Sequence, residues 1–447
     1  MEYDLSRGML RLFSIFLLFI TGSYAQNMDF ALIQKGDVNS TNKLLVVGGI
    51  QGDEPGSFMA ASLLATHYEI TKGSIWVVPN FNFYSIIKSN RGPFGDLNRK
   101  FDKLSKDDPD YRSIERMKKL ISDASVQMVV NLHDGSGFYR EKYIDAMHQP
   151  RRWGQATIID QAKVEDVRYG DLEAIAQEVD AHINKQLLSP EHMFHTKNTH
   201  TYEKQTFEEK EMAKTLTYFA INSGKAAFGN ESSKSLPVHE RVYYKLLALE
   251  KFMDIMGIEY KRKFDLQAQI LKDVIDNDIF ISFNDKKIFI PLSRIRPQIS
   301  YFPVKKGDAI TFSPSSPVMT VIEEKNSFVV YYGNKKLTTL VPQYFDYGKF
   351  DGAVEMFIDG KIQSVHLGSL VEVRDYFRVQ EDPHVRVNVI GYVNTKYPNE
   401  SGLNIHKKQI LPQFSIDKDA KRFRIEFYDT KHEDKFLGMI LVEFIQK

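Results

Sequence analysis

Apolar positions follow two different rhythms along this chain, and the change from one to the other divides it. Up to about Ile258, short unbroken apolar runs alternate with stretches of helical period. Residues 44–47, 74–78, 126–132 and 215–221 read as strands, the first of them buried. Residues 57–69, 111–122, 171–188 and 238–256 read as helices. In the third of these, Leu172, Ile175, Ala176, Val179 and Ile183 keep helical spacing behind Asp171, a plausible N-cap. Such alternation predicts an α/β domain, a mixed sheet flanked by helices.

Past Ile258 the rhythm shortens to strands and tight turns. Asn284-Asp285-Lys286-Lys287 separates two apolar runs, and Gly333-Asn334 and Asp359-Gly360 each separate two more, which are hairpin signals. Phe423, Ile425 and Phe427 alternate with Arg422, Arg424 and Glu426, predicting a strand with one buried and one wet face. The expected architecture is therefore an α/β domain over 26–260 followed by two small all-β domains. The first, over 261–345, is β-barrel-like, and the second, over 346–447, is an immunoglobulin-like β-sandwich.

Composition narrows the chemistry. The formal net charge of +1 on 447 residues argues against a nucleic-acid partner. The absence of cysteine excludes disulfides, thiol catalysis and thiolate metal sites, so a metal would rest on histidine, carboxylate or amide groups. Arg7 and Arg11, an apolar stretch over 12–20 and Ser23-Tyr24-Ala25 read as an export signal over 1–25, with an uncleaved anchor as the alternative.

Three stretches carry candidate chemistry. Gly48-Gly49-Ile50-Gln51-Gly52-Asp53-Glu54-Pro55-Gly56 follows the first strand and precedes the first helix, where α/β folds place their sites. Glu54 offers a carboxylate to a divalent metal; Gln51, three residues before it, offers a neutral amide oxygen, a weak donor. The run 129–135 ends a strand in His133-Asp134-Gly135. Between them lies an arginine-rich loop, Arg91-Gly92-Pro93-Phe94-Gly95-Asp96-Leu97-Asn98-Arg99.

Together these stretches resemble the zinc carboxypeptidases of the M14 type and their deacylase relatives, over roughly residues 29–258. The family's first ligand pair is His-x-x-Glu, whereas here it reads Gln51-x-x-Glu54. A glutamine there is similar to the cell-shape peptidoglycan DL-carboxypeptidases of helical ε-proteobacteria. The resemblance implies one zinc ion per chain on Gln51, Glu54 and His133. It implies Glu231, in Phe228-Gly229-Asn230-Glu231-Ser232, as general base and Arg91 as the group that meets the oxyanion. Asn98 and Arg99 would grip a terminal carboxylate. Asp96 matches the aspartate that hydrogen-bonds the first ligand, and the Gln51 amide can reproduce that bond, its oxygen on the metal and its NH₂ on Asp96. Trp153, one of two tryptophans and set in a polar loop, is a candidate wall for the substrate groove. Tyr202 and Tyr218 are both candidates for the family's active-site tyrosine, while the acidic run through Glu208, Glu209 and Glu211 reads as a solvated loop.

The implied activity is a periplasmic zinc DL-carboxypeptidase that trims peptidoglycan stem tripeptides to dipeptides by removing terminal meso-diaminopimelate. Its partners would be a muropeptide substrate and, through the β-domains, other cell-shape proteins. Two alternatives stand beside it. One is an N-acyl-amino-acid deacylase; the other is a non-catalytic wall-binding protein, which the Gln51 departure favours.

Overall fold

The computed structural model describes residues 28–201, 207–393 and 399–445; the export-signal segment and Tyr202 lie outside them. Seven strands form one mixed sheet: β1 (Ile33–Gly36), β2 (Lys43–Val47), β3 (Ser74–Val78), β4 (Val126–Gly135), β5 (Ala156–Ile159), β6 (His195–Asn198) and β7 (Ala226–Ser233), in the order β1-β3-β2-β4-β7-β5-β6. The middle four run parallel. Every residue of β2 and β3 is buried, as expected of central parallel strands covered on both faces. β1 and β5 add antiparallel to β3 and β7. The helices are α1 (Pro55–His67), α2 (Phe83–Lys88), α3 (Tyr111–Ile121), α4 (Leu172–Asn184), α5 (Phe207–Met212), α6 (Leu216–Asn222), α7 (Val238–Ile255) and α8 (Ala268–Asn277). The expected mixed sheet with flanking helices is what the chain forms.

Two expected elements differ. Residues 215–221 are not a strand. Thr215 caps α6, its hydroxyl accepting from Tyr218 N at 3.3 Å, and Leu216, Ala220 and Ile221 bury a helical face. Threonine and aromatic residues favour strands only where a pleated neighbour exists, and the cap signal won. The neighbouring edge is taken instead by β7, so Tyr218 lies on a helix. The acidic run expected as a loop belongs to α5.

Beyond α7 the chain builds α8 and then two separate sheets, one of three strands and one of four. This region docks on α1: Ser62 and Ser316 share a hydrogen bond at 2.8 Å, Asn80 donates to the Pro317 carbonyl at 3.0 Å, and one hydrophobic core runs through both. The last unit is a sandwich of two four-stranded sheets with its own core of Met356, Phe377, Ile425, Phe427 and Ile440. Its Asp359-Gly360 hairpin has both central residues at positive φ, 51° and 83°, the geometry a two-residue turn between twisted strands requires.

The face expected to be wet is not. Arg424 and Glu426 are each 3% exposed, because the middle unit covers them: Arg424 donates to the carbonyls of Tyr301 at 2.9 Å and Ser300 at 3.1 Å.

The loop between β2 and α1 depends on a close approach. A Cβ on Gly52 would lie 2.0 Å from the Ser85 carbonyl oxygen of α2, so only glycine lets these backbones meet. Gly52→Ala should therefore cost about 1–3 kcal/mol or more in urea unfolding and weaken metal binding at the same time, because Gln51 and Glu54 flank it. Unchanged stability and metal affinity would show that the loop does not need this contact.

Candidate metal centre

The site is assembled at the C-terminal ends of β2, β4 and β7. Glu54 stands at the N-cap position of α1, yet its side chain makes no capping bond. Asp134, from the end of β4, does that work across space, its Oδ2 accepting from Gly56 N at 2.8 Å. The Glu54 carboxylate is thus left to the site. Its Oε2 lies 3.0 Å from His133 Nδ1 and accepts from Asp134 N at 3.1 Å.

Gln51, 2% exposed, donates from Nε2 to Asp96 Oδ1 at 2.8 Å, and among the described residues its amide oxygen finds no hydrogen-bond donor. The Gln51–Asp96 contact expected from the sequence is present. Asp96 is fixed in turn. Arg91 Nε donates to its Oδ2 at 2.9 Å and Asn98 N to its Oδ1 at 3.0 Å. Burial alone would raise the Asp96 pKa, but the Gln51 hydrogen bond and the Arg91 charge outweigh it and hold the group below the usual carboxylate range.

His133 and Glu231 are register partners on the adjacent parallel strands β4 and β7, so their side chains share one face. Burial pushes the Glu231 carboxyl up; the positive charge of His133 opposes this and Glu54 adds to it, leaving a value of about 7. Its Oε2 is buried without a hydrogen-bond partner. Glu231 therefore sits in a strand, on the face it shares with His133.

The donor set fits a divalent cation. A carboxylate and an imidazole nitrogen meet at 3.0 Å, and Gln51, on the same loop as Glu54, can add an amide oxygen; no group of three His, Cys, Asp or Glu side chains is found among the described residues. Asn131 supplies a further argument. Its Nδ2 lies 2.8 Å from His133 Nε2, and its Oδ1 is buried with no partner. With Nδ1 given to a metal, Nε2 carries the proton and needs an acceptor; a flip of the Asn131 amide turns the orphaned oxygen to it. Asn131 was not singled out from the sequence, although it lies two residues before His133 and so shares its strand face.

Two lysines were also missed. Lys234, just past β7, lies 2.8 Å from Asp53 Oδ2 and 3.5 Å from Glu54 Oε1. Lys245 of α7 is fully buried, 3.2 Å from Asp134 Oδ1, and donates to the His133 carbonyl. Neither has a local motif; only the fold brings them in.

The remaining residues surround this centre. Asn98 is pinned, its Oδ1 accepting from Leu216 N at 3.0 Å and its Nδ2 3.3 Å from His133 Nε2. Arg99 Nη1 donates to the Asn98 carbonyl at 2.9 Å, and its Nε lies 3.9 Å from Glu211 Oε2, so part of the acidic run packs onto the site. Trp153 packs at the end of β4: its backbone N–H donates to the Ser136 carbonyl at 3.2 Å and Lys197 Nζ sits 3.9 Å over its ring.

A carboxylate, imidazole and amide set beside a buried acid, rimmed by arginines, suits metal-assisted hydrolysis of an amide, and sequence comparison gives the class as metallo-carboxypeptidase. The family described as the catalytic domain of carboxypeptidases controlling helical cell shape matches residues 12–276, and the C-terminal domain of metallo-carboxypeptidases matches 348–445. The chain belongs to this cell-shape carboxypeptidase family. Among solved structures, apo cell shape determinant Csd4 from Helicobacter pylori is 38% identical, with TM-score 0.82, covering 93% of this chain and 100% of that one. The tripeptide-bound form of the same protein has TM-score 0.81 at 38% identity and the same coverage. Its mDAP-bound form, described as a D,L-carboxypeptidase, has TM-score 0.81 at 39% identity, covering 92% and 100%. No curated protein sequence matches significantly. Membership in the family sets aside both the deacylase and the non-catalytic alternative.

If the Gln51 oxygen ligates the metal, Gln51→Ala should weaken metal binding, and Asp96→Ala and Asn131→Ala should each weaken it about 10–100-fold by releasing a ligand from its orienting partner. Gln51→His should bind at least as tightly, since imidazole is the better donor. Competition with a chelator at fixed pH measures these affinities. Wild-type affinity in Gln51→Ala would remove Gln51 from the ligand set.

Proposed function

We propose that the chain is a periplasmic, zinc-dependent D,L-carboxypeptidase that removes terminal meso-diaminopimelate from peptidoglycan stem tripeptides and so contributes to cell shape. The observation that carries this reading is the likeness to Csd4 over 93% of the chain, a protein solved with tripeptide and with mDAP bound. Zinc is the metal proposed because one imidazole, one carboxylate and one polarised amide leave an open position of the catalytic kind. The export-signal pattern in the first 25 residues supports the periplasm.

In this reading Gln51, Glu54 and His133 hold the metal, which supplies Lewis acidity at the scissile carbonyl when bound. Glu231 takes the proton of the attacking water and passes it to the leaving amine; burial has already raised its basicity for that task. Arg91 is tied to Asp96 only through Nε, and its terminal nitrogens are left to meet charge on the carbonyl oxygen. Arg99 forks onto the terminal carboxylate beside Asn98. Trp153, held by Lys197, walls the groove.

Glu231→Gln should lower kcat about 10²–10⁴-fold while the metal stays bound, as read by turnover of a purified tripeptide and by chelator competition. The base works ionised, so wild-type kcat/KM should be lost as pH falls. The limb should lie above the ordinary carboxyl value of 4.5 and no higher than about 7, because a bound cation pulls Glu231 down from its metal-free position. Loss of metal from the variant, or a wild-type limb at 4.5 or below, contradicts the assignment. Arg99→Ala should cost roughly ten- to a hundredfold in kcat/KM on free-acid tripeptide and little on its amide. Equal cleavage of acid and amide by the wild type would overturn the exopeptidase reading.

A further inference from the structure

On the strand Arg422–Asp429, Phe423, Ile425 and Phe427 build the sandwich core, while Arg424, Glu426 and Tyr428 point the other way and are buried too, against the middle unit. Between the two units lies an open cleft of ≈ 430 Å³. Its walls include Tyr301, Gln343, Asn388, Tyr392, Phe414 and Glu426, and none of its lining residues comes from the catalytic domain.

Three features make this cleft a built site. First, polar groups are waiting in it. Among the described residues, the solvent-accessible side chains of Asn388, Gln343, Tyr301 and Tyr392 find no hydrogen-bond partner. The Glu426 carboxylate, 3% exposed, accepts from the Tyr428 hydroxyl at 2.6 Å through Oε2, while its Oε1 faces Arg424 Nη1 at 3.5 Å. Second, Tyr301 is held at φ 56°, a left-handed conformation costly for an aromatic residue, while the residue is 63% exposed. Strain of this kind collects where a side chain must be presented. Third, the charges are already balanced. Arg424 lies 3.5 Å from Glu426 and Arg386 3.3 Å from Asp434, one cation to each anion. That pattern disfavours a phosphate or a free carboxylate as ligand.

Aromatic faces, unengaged amides and neutralised charge together suit an uncharged, hydroxyl-rich ring: its C–H faces stack on Tyr301, Tyr392 and Phe414, and its hydroxyl and acetamido groups pair with Asn388 and Gln343. We propose that the cleft between the two β-units binds the glycan backbone of peptidoglycan through its N-acetylated sugar rings, holding the enzyme on the polymer that carries its stem peptides. This rests on the reading of peptidoglycan as substrate, and the test separates the two.

The full chain would be titrated calorimetrically with the β-1,4-linked hexamer of N-acetylglucosamine. Turnover would be measured on free tripeptide and on tripeptide still joined to glycan strands. The wild type should bind the hexamer. Tyr392→Ala and Asn388→Ala should each weaken that binding about tenfold, the loss of one good contact. Both should turn over free tripeptide normally and lose rate only on the glycan-linked form. Failure of the wild type to bind, wild-type affinity in both variants, or an equal loss on both substrates would overturn the proposal. Free-tripeptide turnover by the wild type reports on the catalytic reading independently.

Discussion

The arrangement turns on one buried carboxylate. Asp134, 1% exposed, accepts from Gly56 N at the start of α1, pairs with Arg241 at 3.0 Å and lies 3.2 Å from the fully buried Lys245. It ties the end of β4 to α1 and α7 in one network. Breaking such a buried pair by removing one partner costs about 3–5 kcal/mol, because a charge is left stranded. Its functional consequence is indirect. Glu54 occupies the position from which a helix is normally capped, and a carboxylate there would turn back onto the helix. With Asp134 supplying the cap, Glu54 is free to face His133. Lys245 donates to the His133 carbonyl, fixing the backbone that carries the imidazole.

Around this anchor the site is an exercise in compensated charge. Glu54, Glu231 and Asp96 surround a single histidine, and together they raise its pKa although burial alone would lower it. Lys234, Lys245 and Arg91 answer these acids from outside the ligand positions. A cation placed among these acids would relieve the same repulsion. Asp96, its own charge secured by Arg91, polarises the Gln51 amide and would make its oxygen a better donor to such a cation.

Much of this was legible in the sequence where chemistry and local structure coincide. The strand, glycine turn and helix around Gln51 and Glu54 announced themselves, as did the Asp359-Gly360 hairpin, because backbone demands at those points leave few residue choices. The Gln51–Asp96 contact was readable because a glutamine in place of histidine keeps one donor and one acceptor. The misses share a cause. Residues 215–221 have strand-like composition, but the Thr215 cap starts a helix there and no strand pairs with them. Asn131, Lys234 and Lys245 matter through contacts made at a distance in sequence. The face of Arg424 and Glu426 looked wet because nothing in its alternation encodes the neighbouring unit that covers it.

The central claim is that the metal is held by one imidazole and by oxygen donors, one of them the Gln51 amide. X-ray absorption at the zinc edge of the metal-loaded protein counts imidazoles directly by their multiple scattering. Wild type should show one imidazole among oxygen donors, and Gln51→His should show two. Two imidazoles in the wild type, or an unchanged count in Gln51→His, would contradict the account.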